Sequence, residues 1–167
     1  MSGKAIGKRL NHGFAGSYAR QPDMIIQTRP NNSTDTIVFG SVLMNDSAGG
    51  VVPANATFTA AKFAGIAGKE LKTALDYLDQ DGGGQYYPQE PVSVFQRGSI
   101  NVICAAGNPK TGQPVYIRIA AGVGLNVGDL TSVIDDANTV LLANAQWGGA
   151  ADINKVAELV LLTRANA

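Results

Sequence analysis

Apolar positions along the chain come in short runs, and nearly every run ends at Gly, Pro, Asn or Asp. "DMIIQTRP" is a brief apolar run stopped by Pro30, and "NNSTD" after it reads as a turn. "TIVFGSVLM" is β-rich, with Gly40 at a bulge or bend, whereas "NDSAGGVVPAN" reads as loop. "FTAAKFAGIAGKEL" is ambiguous, because alanine favours helix, yet Phe63, Ile66 and the glycines at 65 and 68 favour a bent strand over 63–67. Leu71, Leu75 and Leu78 share one helical face and predict a turn or two of helix before a triple glycine and two prolines. From Val92 onward "VSVFQRGSINVICAA" predicts two strands meeting at Arg97-Gly98, "GNPKTGQ" a turn and "PVYIRI" a strand. "AAGVGLNVGDLTSVIDDAN" is broken by glycines, and "TVLLANAQW" and "KVAELVLLTR" close the chain as strands.

Short strands with turn residues between them and no βα alternation predict a mainly β, mostly antiparallel fold. Its form is a jelly-roll-like sandwich or a small barrel with little helix, and the pattern does not choose between them. The 167 residues suffice for a single core. The predicted organisation is an extended basic N-terminal arm over 1–29 followed by one β-rich domain over 30–167.

Composition sharpens the picture of the surface. Charged residues make up only 16% of the chain, below the roughly 25% usual for soluble domains, and there are 20 glycines. Such a chain has much surface not built to face water alone, which favours a member of an assembly. The charges cancel overall but not locally. Residues 1–29 carry five basic residues against one acidic, a balance of +4; the rest carries eight against twelve, a balance of −4. A basic arm on an acidic body steers one copy onto another. Five cations over 29 residues are too thin a footprint for specific nucleic-acid binding.

The candidate chemistry is sparse. "DQDGGGQYYPQE" imitates a calcium loop from Asp79 to Glu90, but Gly83 offers no side-chain oxygen and Pro88 and Pro91 forbid the exiting helix. The Gly122–Gly128 stretch and "GNPKTG" lack the spacings of phosphate-binding loops. Cys104 lies in an apolar run, where an inert thiol is expected. His12 has no acidic residue nearer in sequence than Asp23, and Asp135-Asp136 face opposite sides if extended. These residues make no catalytic or metal-binding set, so the chain reads as a non-enzyme without cofactor. Its start has no apolar core of a signal peptide, and no run reaches the roughly 18 residues of a membrane span, which places its synthesis in a cytoplasm.

The opening segment then needs a reason. Fixing its backbone costs more than burial of Ile6, Leu10, Phe14, Tyr18, Met24, Ile25 and Ile26 returns. Hydrogen bonds from a neighbour's sheet edge would make up the deficit. The residues expected at inter-subunit contacts are Arg9, Leu10, Phe14, Tyr18, Arg20 and Ile25, with Arg9 and Arg20 pairing to carboxylates of the next subunit.

"GFAGSYARQPD", "FAGIA", "YYPQEPVSVFQRGSINV", "GQPVYIRI" and "VAELVLLTR", in this order from about Asn11 to Arg164, resemble the structural cement (head decoration) proteins of tailed bacteriophages. The resemblance implies a β-rich, non-catalytic protein, made in the bacterial host cytoplasm and bound to the outer capsid surface of the virion. There it would bridge adjacent major capsid subunits as a symmetric homo-oligomer, a homotrimer before a dimer. It also implies that Gly13 to Asp23 reaches over a neighbour. Two stretches depart from the pattern, "AGKELKTALDYLDQDGGGQ" and "AAGVGLNVGDLTSV". The alternative is a receptor- or carbohydrate-binding β module on the virion, presenting Tyr86, Tyr87 and Trp147.

Overall fold

A computed structural model describes residues 11–69 and 84–163. The strands in chain order are β1 (Ile25–Pro30), β2 (Ile37–Val38), β3 (Val42–Asn45), β4 (Val51–Pro53), β5 (Phe63–Ala67) and β6 (Gln85–Tyr86). They continue with β7 (Pro91–Ala106), β8 (Pro114–Arg118), β9 (Leu130–Thr131), β10 (Thr139–Trp147) and β11 (Val156–Leu161). Among the described residues the helical pieces are two 3-10 turns, Ala60–Lys62 and Asp136–Asn138. The expected helical turns around Leu71, Leu75 and Leu78, and most of the calcium-like loop, lie outside the described residues.

Of the two forms left open, the barrel is the one adopted. β11, β10, β8, β9 and β7 follow one another, and β11 pairs back onto β7 to close a five-stranded mixed barrel. β9 runs parallel to β7, and the other barrel neighbours are antiparallel. Closure removes the free edges that an open sheet would expose. Ile100, Val102, Val115, Ile117, Leu142, Trp147, Leu159 and Leu161 fill the interior and are almost wholly shielded from water. Extra strands attach to the barrel through β7, whose first half is flanked by β1 and β5, with β3 and β4 beyond β5. A second cluster forms there, including Ile37, Phe39, Leu43, Tyr86 and Val94.

The expected pair of strands around Arg97-Gly98 is instead the single 16-residue strand β7. Gly98 does adopt a left-handed φ of 106°, but it bends the strand rather than reversing it. The reason lies in the neighbours. Before the bend β7 pairs with β1 and β5; from Gly98 to Ile103 it pairs with β11. A Cβ at Gly98 would strike the carbonyl oxygen of Asp23, so the close backbone approach also requires glycine. Two short strands escape the sequence pattern. β4 lies in a segment read as loop, and the glycine-broken stretch contains β9, which completes the barrel.

The basic leader was expected to have no partner on its own body, and that is corrected over its described part. β1 pairs with β7 from Ile25↔Arg97 to Pro30↔Pro91, and the boundary drawn between residues 29 and 30 falls inside this strand. Gly98→Ala is expected to lower unfolding stability by about 2 kcal/mol, through strain at positive φ and the collision with Asp23. Chemical denaturation measures it, and an unchanged midpoint would contradict the role given to the bend.

Candidate functional site

Residues 11–20 form a strap across the outside of the barrel. Where it meets β7 it adds a short antiparallel pairing centred on Tyr18↔Ile100. Gly16 donates its backbone N–H to the Asn101 carbonyl at 2.7 Å, Asn101 donates to the Ser17 carbonyl at 2.8 Å, and Ala19 donates to the Ser99 carbonyl at 2.9 Å. These are the bonds expected from a neighbouring copy; β7 of the same chain supplies them. Gly16 is needed for the approach, because its φ is 82° and a Cβ would lie 2.8 Å from the Gly40 nitrogen.

Side chains hold both ends of the strap. At the start, His12 donates its backbone N–H to Asp152 Oδ2 at 2.9 Å, and its ring Nε2 lies 3.0 Å from the Ala150 carbonyl. Asn101 donates its amide to the His12 carbonyl at 2.8 Å. At the far end Arg20 Nε meets Glu158 Oε1 at 2.6 Å and Arg20 Nη2 donates to Oε2 at 3.0 Å. Between them the Tyr18 ring stacks on Phe95 with centroids 5.6 Å apart.

The strap changes the character of the wall it covers. Ala157, Leu159 and Leu161 of β11 belong to the core, so Glu158 between them points outward. Likewise Ile100 and Val102 of β7 point inward, and Ser99 and Asn101 outward. Yet Ser99, Asn101 and Glu158 are all buried. Burial raises the affinity of the Glu158 carboxyl for its proton. Hydrogen bonds from Arg20 and Ser99, with the positive charge of Arg20, reverse that and hold it below the ordinary glutamate range. Asp152 behaves alike: burial pushes it up, and the backbone N–H groups of His12, Val156 and Asn154 bring it below its usual range.

The predicted contact residues therefore divide. Arg9 and Leu10 lie outside the described residues. Phe14 is half exposed, with the Lys69 ammonium 4.6 Å above its ring. Tyr18 and Arg20 are engaged by Phe95 and Glu158 of the same chain, and Ile25 is half-buried in β1 opposite Arg97. The pairing assigned to Arg20 thus exists with an internal carboxylate. Glu158 and Asp152 were missed. The signal for Glu158 was present, since a lone carboxylate inside "VAELVLL" calls for a cation when that strand is buried.

Beside the strap a groove runs between Ala15, Val38, Ala54, Ile103 and Val127, with Ser41 and Asp129 also in its lining. Val38 and Ile103 are each about half exposed. Elsewhere Val123, Ile134 and Ile153 also face water. The aromatics proposed for glycan binding are not displayed together. Trp147 and Tyr86 are buried, with the Tyr86 hydroxyl donating to the Gly68 carbonyl at 2.6 Å, and Tyr87 alone is exposed. Asp135 accepts a 2.8 Å bond from the buried Arg118 guanidinium, which holds the Asp135 carboxyl below its ordinary range; Asp136 begins a 3-10 turn. Among the described residues no group of three or more His, Cys, Asp or Glu side chains gathers as metal ligands would. Burial pushes the Cys104 thiol up, away from reactivity.

Residues 3–162 match the family described as structural cement protein (E217 gp24/Pam3 gp6). No curated protein matches the sequence. A solved chain from the capsid of Myoviridae Phage XM1 shares the fold, with a TM-score of 0.72 and 17% identity over 97% of each chain.

Trp147 is the only tryptophan, so its surroundings can be read directly. Its emission in the folded protein is expected to be blue-shifted and resistant to acrylamide, and to stay unchanged when glycans are added. Red emission with ready quenching would place the ring at the surface and return it to the glycan-binding alternative.

Proposed function

The chain belongs to the phage structural cement protein family, and from that premise we propose that it binds the outer surface of the head and bridges adjacent major capsid subunits. Membership makes it a structural, non-enzymatic component of the virion capsid. The family match across residues 3–162 is the observation that carries this reading. A capsid component touches capsid proteins, and the half-exposed groove residues Val38 and Ile103 supply apolar surface for such contact. We take the oligomer to be a homotrimer, with a dimer as second choice, since closed cyclic symmetry is the common form of self-assembly.

The division of the leader's residues supports a division of labour. Arg9, Leu10 and Phe14 contact neighbouring subunits, while Tyr18, Arg20 and Ile25 anchor the leader to its own body. Phe14 supports the first assignment because its ring stands half in water, with Lys69 over one face. The internal partners of Tyr18 and Arg20 support the second.

The direct experiment adds purified protein to expanded empty heads that lack it and follows co-sedimentation. Specific, saturable binding to expanded heads is expected; a protein that stays in the supernatant at all concentrations would refute the bridging role. Phe14→Asp is expected to leave the melting temperature within about 2 °C, as an exposed substitution should, while retention on heads falls by about tenfold, a 1.4 kcal/mol loss. Retention equal to the parent would remove Phe14 from the contact. Arg9→Glu should weaken retention more at low salt than at high salt, because screening already mutes the charge at high salt. Equal weakening at both would take electrostatics out of the leader's role.

A further inference from the structure

The strap is joined to the barrel in an unusual way for a packed element. The wall beneath it presents Ser99, Asn101 and Glu158, all polar, so uncovering that wall exposes little apolar surface to water. Most of the strap itself is exposed or half-buried, including Asn11, Gly13, Phe14 and Arg20. Its backbone makes three hydrogen bonds to β7 and accepts one more from the Lys69 amide at Gly16, and its main apolar anchor lies off that wall, where Tyr18 packs on the core beside Phe95. What fastens its two ends is a pair of carboxylates on the barrel. Segments with few buried apolar contacts open locally at lower cost than the core around which they fold.

We propose that residues 11–20 are a charge-latched strap, held closed by Asp152 at its start and Glu158 at its end, that opens as a unit without the barrel unfolding when those carboxylates are neutralised. The groups facing each latch are few. Arg20 and His12 of the strap and the Ser99 hydroxyl of β7 face Glu158. At Asp152 the strap contributes His12, and the Asn154 and Val156 amides bind the carboxylate from its own turn, where Lys155 carries the other charge.

The direction of the pH effect follows from the two carboxylates. Both are held below their ordinary range in the closed strap. Their contribution is therefore fully present above the ordinary carboxylate values and is lost as pH falls through the lowered ones. Protonation removes the negative partner of Arg20 and weakens Asp152 as an acceptor for the His12 amide. Once open, the strap leaves the Gly16 and Ala19 donors and both backbone groups of Asn101 to water. The barrel keeps its own ladder, including the Trp147 amide on Gln113 and the Cys104 amide on Lys155.

Residue-resolved hydrogen exchange on the full chain tests this, with protection factors corrected for the intrinsic pH dependence. The Gly16, Ala19 and Asn101 amides report the strap; the Trp147 and Cys104 amides report the barrel. As pH falls from neutral through the carboxylate range, strap protection should drop by about tenfold, as loss of charge-assisted hydrogen bonds would give, while barrel protection holds. Arg20→Gln, a change at an exposed side chain, should lower strap protection already at neutral pH and flatten its pH dependence. Glu158→Gln should do the same if it folds, with barrel protection as the control. The proposal is overturned if strap and barrel amides lose protection together at every pH, or if Arg20→Gln leaves the strap amides as protected as in the parent.

Discussion

Strand β7 must satisfy its backbone on both sides along 16 residues, and this requirement organises the rest of the molecule. No single neighbour is long enough to do it. β1 and β5 flank the strand before Gly98, and β11 and the strap flank it afterwards. β9 meets its end in parallel. The bend at Gly98 lets one strand serve a closed barrel and an attached sheet with different orientations. Core clusters on either side of the bend then follow from alternation: Ile100 and Val102 face the barrel interior, and Val92 and Val94 face the second cluster.

The same requirement explains why residues 11–20 are ordered. An antiparallel strand beside residues 99–101 caps an edge that β11 does not reach. Polar residues on the outer wall, which water would otherwise cover, become buried and acquire partners within the strap. Glu158 is the sharpest instance. A carboxylate that is 91% covered is unfavourable alone, and Arg20 makes it tolerable through two contacts while remaining largely exposed itself. Because Arg20 is wet, the pair adds modest net stability and acts chiefly to fix where the strap ends.

The mainly β class, the strands from Phe63, Pro114, Thr139 and Val156 and the inert setting of Cys104 were legible in short apolar runs. β9 and β4 were not, because strands of two or three residues carry no period. Arg97-Gly98 misled for a physical reason: positive φ serves a bend as readily as a hairpin, and only the partners on each side decide. The leader misled through the choice of reference. A missing sheet edge points to a neighbouring copy, whereas the edge that orders residues 11–20 belongs to the same chain, about 80 residues away in sequence, at Ser99 to Asn101. A long-range pairing of that kind leaves no local mark. The lone glutamate in β11 was a mark, and it indicated a cation without saying which.

Order within one chain changes the energetics of joining a shell. A segment that must be fixed at the moment of contact subtracts its conformational entropy from the affinity. Residues 11–30 have met that cost against their own barrel, so surface left exposed on this segment, such as the Phe14 ring, is already fixed in place. Each contact can then be small. Repetition over many copies of a lattice multiplies modest affinities without requiring any one interface to be large. A closed barrel suits that arrangement, since it offers side-chain surface to its neighbours while few unpaired strand edges remain to join the wrong partner.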